Sequence, residues 1–400
     1  MDLIQPEKVG LSSVRLQRMN LVMQQYVDQQ AYSGIVTLVA RKGQIAHLGI
    51  FGWQEKETNI PMAVDTIFPI HSMTKPVTSA AVMMLCEEAK LHLSDPVSGY
   101  IPEFKDAKVM VARGGSDYDL VPARREMTIH DLLTHTAGLS YDFHDNSILD
   151  EMYGNTFEHM RKEVEPILEK RITAFAQAKL PLAFHPGTDF RYSFSIDVLG
   201  YIVQKVSGQF FADFLQERIF QPLGMADTDF WVPPEKAHRL AAVYGPAEQG
   251  GIKVIEPAAN SSYLKPTKNP SGGGGLVSTS IDFFRFGQML LNGGQLNGVR
   301  LLGRHTVAWM LQNHLPDGIH PVDVDYVCNG FGLGGSVLLN PGLSHRPGSV
   351  GKFGWSGSAS TSWWIDPVEE MQGVLMLQYE PAFVIPINES FSQLVYQALE

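Results

Sequence analysis

The stretch His71-Ser72-Met73-Thr74-Lys75-Pro76 follows an extended, apolar-rich run and precedes a long helical pattern. A lysine three residues after a serine, where a strand-rich segment hands over to a helix, has two readings. Ser is a favoured N-cap residue and Pro is tolerated in a first turn, so a plain helix N-terminus accounts for the residues. The other reading is a nucleophile and its base, since Ser72 and Lys75, one turn apart, project from the same side of that turn. Pro76 disfavours α conformation at Lys75, so this reading calls for a tight first turn. Ser-x-x-Lys is too short a pattern to decide by itself.

The rest of the chain narrows the choice. Its 400 residues can bury a large core and usually form two lobes or domains. The 31 Lys and Arg against 42 Asp and Glu leave a net charge of −11. That balance argues against nucleic acid or an anionic membrane as main partner, since both need a basic face. Cys86 and Cys328 are the two cysteines, so no disulfide framework is expected and a reducing compartment fits. The N-terminal run MDLIQPEKVGLSS lacks a basic segment followed by an apolar one, and no stretch approaches the roughly eighteen apolar residues of a membrane span. The expected location is cytoplasmic.

Ser12 can cap a first helix in which Leu16, Met19, Met23, Tyr26 and Val27 recur at helical spacing. Gly34 to Ala40 reads as a strand, Arg41 to Gln44 as a turn, and Ile45 to Ile50 as a returning strand. A helical pattern runs from Val77 to Leu91 and must stop before Pro96. The middle reads as helical segments broken by Pro- and Gly-rich loops, near Ile129–Leu133, Ile196–Val206 and Phe211–Phe220. Ser271 and four glycines precede a helical stretch at Ile281–Leu291. Strand-like segments follow at Gly335–Leu339, Ser362–Ile365 and Gly373–Gln378. Strands at both ends and helices between them predict an α+β fold, with an antiparallel sheet built from both termini and an inserted helical lobe. The expected division is a sheet lobe from 1–77 and 272–400 and a mainly helical lobe from 78–271, with the active site between them.

No Gly-x-Ser-x-Gly elbow is present, and His71, His135, His144 and His185 lack metal-ligand spacing, so no metal is expected. The four glycines are not followed by Lys-Ser/Thr, which removes a phosphate loop and leaves a turn where backbone passes close to something. Two stretches can support Ser72 and Lys75. Phe190-Arg191-Tyr192-Ser193 places a Tyr at a loop-to-helix junction, facing a cleft or packed at the helix start. Phe353-Gly354-Trp355-Ser356-Gly357-Ser358 has small residues that let backbone approach a ligand, or form a bulged strand edge.

Taken in order, Ser72-x-x-Lys75, Tyr192-Ser193-Phe194 and Trp355-Ser356-Gly357 resemble the three active-site boxes of the class C β-lactamase and penicillin-binding-protein superfamily. They match its esterase branch, the family VIII carboxylesterases, best. Leu132-Leu-Thr-His-Thr-Ala-Gly-Leu139, Gln221-Pro-Leu-Gly-Met225 and Gly272-Gly-Gly-Gly-Leu-Val-Ser-Thr279 also look like that family, and the resemblance runs from about Val14 to the C-terminus. It implies a β-lactamase/transpeptidase-like fold without a cofactor. Ser72 is then the nucleophile, Lys75 and Tyr192 share general base and acid, with the phenol held by Lys75, and the backbone N–H groups of Ser72 and Ser358 form the oxyanion hole.

The departures from the lactamase boxes matter. Phe194 stands where Tyr-x-Asn has its Asn, and Trp355 stands where Lys-Thr-Gly has its Lys. The first loses an amide for an acylamino arm, the second a cation for a β-lactam carboxylate. Both point to a neutral, apolar ester, with Trp355, Ser356, Gly357 and Phe194 as its expected contacts. The expected function is a serine esterase acting on small carboxylic esters. Its rivals are acyl transfer to an alcohol, weak β-lactamase or D-amino-acid peptidase activity, and a catalytically idle binding or scaffold protein.

Overall fold

The hairpin expected near the N-terminus forms as strands Gly34–Arg41 and Gln44–Glu55, the second longer than its pattern indicated. Lys42 (φ +52°) and Gly43 (φ +76°) both take left-handed backbone, the twist that a two-residue hairpin turn needs. This arrangement is seen in a computed structural model that describes residues 3–114, 117–144, 147–321, 328–344 and 346–400.

The main sheet has eight strands. Their order is Asn329–Phe331, Ser336–Leu338, Phe353–Ser356, Ser362–Asp366, Met371–Met376, Gly34–Arg41, Gln44–Glu55 and Ile60–Pro61. Every neighbouring pair is antiparallel. The two ends of the chain meet inside the sheet, where Val36 pairs with Met376 and Arg41 with Met371.

Gly34–Arg41 is buried on both faces, and alternation sends its side chains into two cores. Val36, Leu38 and Ala40 join the large cluster that includes Phe283, Phe286 and Trp363. Ile35 and Val39 join a second cluster with Leu16, Met19, Met23, Phe391 and Val395. Helix Ser280–Leu291 therefore covers one face, and helices Ser13–Asp28 and Ile387–Tyr396 cover the other. Ser12 stands at the N-cap of the first helix, but its side chain makes no capping bond. Ser13 N–H is satisfied instead by Glu7 at 2.9 Å.

Three expectations need correction. The helix expected over Val77–Leu91 spans Thr74–Glu87 and stops well before Pro96, because Ala89 turns left-handed (φ +53°). The segment expected as one helix, Phe211–Phe220, is α-helical over Phe211–Leu215 and then widens over Gln216–Phe220. The middle of the chain also carries two hairpins, Lys108–Gly114 with Asp117–Pro122 and Val243–Pro246 with Ile252–Glu256. The first is mostly solvent-facing, so no core-directed alternation announces it. Among the described residues, no helix is long and apolar enough to cross a membrane.

Helix Thr74–Glu87 is buried from Thr74 to Leu85 and lies against helix Ser195–Ser207. The glycine tract crosses both. Thr78 Oγ1 donates to the Gly272 carbonyl at 2.7 Å, and Leu276 N–H donates to Thr74 Oγ1 at 3.1 Å. A Cβ on Gly272 would lie 2.7 Å from the Ile196 carbonyl oxygen and 3.2 Å from Gly200 Cα. Gly272→Ala is therefore expected to destabilise by about 1–3 kcal/mol, as overpacking a rigid contact does. The urea midpoint should fall, and an unchanged midpoint would mean the helix yields freely.

Candidate active site

Ser72 sits in a tight turn, His71–Met73, that leads into the Thr74–Glu87 helix. This turn resolves the conflict raised by Pro76. Lys75 is helical, and Pro76 lies within the first turn, where its missing N–H removes a donor with no intrahelical partner. His71 enters the turn with left-handed backbone (φ +44°). Lys75 is fully buried beneath the serine. Its Nζ is 3.1 Å from Ser72 Oγ and donates to the Gly273 carbonyl at 2.7 Å.

Tyr192 arrives from the loop before helix Ser195–Ser207, and its hydroxyl lies 2.7 Å from Ser72 Oγ. That loop is fixed on several sides. Arg191 binds Asp150 and Ser140 Oγ, each at 2.7 Å, and His144 Nε2 donates to the Tyr192 carbonyl at 2.7 Å. His135 stands behind the phenol with ring centroids 4.8 Å apart, and its Nδ1 accepts from Ser193 N–H at 3.2 Å. Burial, then the Lys75 charge, holds the His135 imidazole well below its usual pKa and so neutral.

Lys75 and Tyr192 do not meet as the resemblance implied. Lys75 Nζ lies 4.5 Å from the centroid of the Tyr192 ring, over its face, and no hydrogen bond joins it to the phenol among the described residues. The phenol oxygen, which donates to Ser72 Oγ, accepts instead from Trp355 Nε1 at 3.3 Å. Trp355 is thus both a wall of the cleft and a holder of Tyr192.

Gly357 explains how the Phe353–Ser356 strand comes so near. A Cβ there would fall 2.5 Å from the Ile70 carbonyl oxygen and 2.3 Å from Thr361 Oγ1. This close passage puts Ser358 on the cleft wall with Ser72. Among the described residues, the backbone N–H groups of Ser72 and Ser358 make no hydrogen bond to the protein. Ser356 also lines the cleft, 3.3 Å from Ser362 Oγ. Phe194 does not line it. Its ring turns into an aromatic cluster, 4.8 Å from Phe175 and 5.3 Å from Phe157.

Sequence reasoning missed three contributors. Tyr141 lines the cleft and lies 5.7 Å from Lys75 Nζ. Gly273 supplies the carbonyl that holds the amine. Asp197, buried in the first turn of the Ser195–Ser207 helix, accepts from Ser271 Oγ and packs against Gly273. Burial raises its pKa, and the nearby Lys75 charge opposes that rise. An acidic residue in a first turn is common for dipole reasons, which hid this one. The cleft itself has a volume of about 510 Å³, within the range of small-molecule sites, and Phe143, Phe190 and Trp355 make much of its wall apolar.

The protein family described as Beta-lactamase matches residues 19–386. The chain belongs to this family. An uncharacterized protein of Mycobacterium tuberculosis is 35% identical over 363 residues, 88% of each chain. Esterase EstB of Burkholderia gladioli is 29% identical over 371 residues, 87% of this chain and 86% of its own. Among solved structures, EstCE1, described as a hydrolase with promiscuous acyltransferase activity, superposes with a TM-score of 0.78 at 27% identity. That match covers 96% of this chain and 99% of EstCE1.

The Trp355–Tyr192 bond is the part of this family site that the boxes alone did not foretell. Trp355→Phe keeps an aromatic wall and deletes the donor. A hydrogen bond of ordinary worth predicts a fall in kcat of about two- to tenfold on a short-chain ester, with KM little changed. A loss confined to KM would assign Trp355 to substrate contact alone.

Proposed function

We propose that this protein is a serine esterase that hydrolyses small carboxylic esters through an acyl-enzyme on Ser72. The observation that carries the reading is the Ser72 hydroxyl, held between Lys75 Nζ and Tyr192 Oη at the wall of a largely apolar cleft. The esterase and hydrolase descriptions of EstB and EstCE1 support it. Ser72 and Trp355 belong to the segments 1–77 and 272–400 and Tyr192 to 78–271, so we place catalysis where these two lobes meet.

A serine oxygen has one proton to give, so base catalysis requires Lys75 or Tyr192 to arrive without its own. The Ser72 proton passes to this pair as Oγ bonds to the ester carbonyl carbon. The Ser72 and Ser358 N–H groups receive the oxyanion, Ser72 also gaining from the start of a long helix. The carbonyl–oxygen bond to the alcohol then breaks, and Tyr192 protonates the departing alkoxide. Water adds to the acyl-enzyme by the reverse path and frees Ser72. An alcohol in place of water makes the same step an acyl transfer, a second reading that the description of EstCE1 favours. The acidic charge balance and the low count of two cysteines support a cytoplasmic protein with a small-molecule partner.

Intact mass after treatment with a fluorophosphonate should show one adduct, absent in Ser72→Ala; an adduct persisting in that variant would move the nucleophile elsewhere. Lys75→Ala and Tyr192→Phe should each lower kcat by roughly a hundredfold or more, and the double variant should lose little beyond either.

The indole at the lactamase lysine position yields a further expectation. The Trp355 indole offers no charge to anchor a β-lactam carboxylate. kcat/KM for a short-chain ester should far exceed that for a cephalosporin, and the opposite order would overturn the esterase assignment.

A further inference from the structure

The cleft does not end at Ser72. Among the described residues, the Phe353–Ser356 strand pairs with Ser336–Leu338 through Phe353 and Gly354 alone, and from Trp355 onward that edge has no strand partner. Side chains alternate along a strand, which puts Gly354 and Ser356 on the face opposite Trp355. The cleft wraps this edge and continues past Ser356, Ser362, Trp364 and Ser392 to Lys352. A Cβ on Gly354 would fall 2.3 Å from the Trp363 carbonyl oxygen and 2.8 Å from Trp364 Cβ, so the two strands lie close together there.

At its end Lys352 Nζ lies over two rings, 4.3 Å from the Trp364 centroid and 4.8 Å from that of Tyr396. Its hydrogen bond goes to the Pro347 carbonyl at 3.2 Å, which leaves two of its three N–H donors. Among the described residues, no carboxylate lies within ion-pair distance of it. The charged neighbours are otherwise engaged. Arg346 is paired with Glu389 at 2.5 Å. Asp366 accepts from Ser349 N–H at 3.0 Å and Tyr396 Oη at 2.5 Å, and from the N–H groups of Val368 and Glu369. Burial, helped by Arg346 and opposed by Asp366, pushes the Lys352 amine down to about 7. An anion reaching it would offset that burial.

Resting on the esterase reading, we propose that this far end of the cleft binds a carboxylate carried by the substrate, so that the preferred esters bear one free carboxylate remote from the scissile bond. Three residues of extended chain separate Lys352 from Trp355, a spacing of about 10 Å. The substrate is then neutral beside Ser72, as Trp355 requires, and charged at its other end. A single ammonium suits a monoanion better than a phosphate dianion.

The test compares two pairs of esters of equal chain length at pH 6.5. In the first the acid sits on the acyl part: mono-p-nitrophenyl suberate against p-nitrophenyl octanoate. In the second it sits on the alcohol part: 8-acetoxyoctanoate against octyl acetate. In at least one pair the charged ester should have the higher kcat/KM by about tenfold, through KM. Lys352→Met should abolish that ratio and Lys352→Arg should keep part of it. In the wild type the ratio should fade as the pH rises past 7 and Lys352 loses its proton, a readout that stands even if Lys352→Met fails to fold. Equal kcat/KM within both pairs, or a ratio that survives Lys352→Met, overturns the carboxylate site while leaving the esterase reading intact. Failure to turn over any of the four esters overturns both.

Discussion

A buried amine governs this molecule. Lys75 has no exposed surface, and a buried charge or donor is costly unless it is paired. Its donors are met by Ser72 Oγ and the Gly273 carbonyl, and the Tyr192 ring lies against it. The peptide whose carbonyl holds the lysine starts at Gly273, which packs directly against the buried Asp197 carboxylate. That peptide can be there only because the tract is bare: a Cβ on Gly273 would fall 2.1 Å from Asp197 Oδ2. The turn carrying Ser72, the helix carrying Asp197 and the glycine tract are thereby set against one another.

The second constraint is on Tyr192. The phenol sits 2.7 Å from the Ser72 oxygen and is held there from three directions. Trp355 meets its oxygen, His135 its ring and His144 its backbone carbonyl. The residue that replaces a lysine of the lactamase pattern thus keeps a donor at that spot while giving up the charge.

Much of this was legible in the sequence, for identifiable reasons. Gly34–Arg41 is a β-branched run ended by a turn, and both it and the Ser195–Ser207 helix sit where their residue patterns put them. Ser72, Lys75, Tyr192 and Trp355 could be singled out because they lie in short ordered boxes. What stayed hidden depends on long-range approach. Asp197 looks like a helix-dipole residue until Gly273 is seen beside it, and Phe194 looks like a cleft residue until Phe157 and Phe175 are seen to enclose it. The Lys108–Pro122 hairpin was missed because its side chains face water and carry no burial rhythm.

The sheet's topology has a consequence for how the protein is made. Gly34–Arg41 leaves the ribosome early, yet one of its two neighbours is Met371–Met376. At about 5–20 residues per second, the strand waits roughly 20–70 s for that partner to be synthesised. Until then its second edge is open and Ile35, Val39 and their core mates lack the C-terminal helix that covers them. Pairings so distant along the chain also slow folding once synthesis ends. Until Met371–Met376 has been made, the nascent chain therefore carries an unpaired, apolar strand edge, the kind of surface on which strands of separate chains can pair.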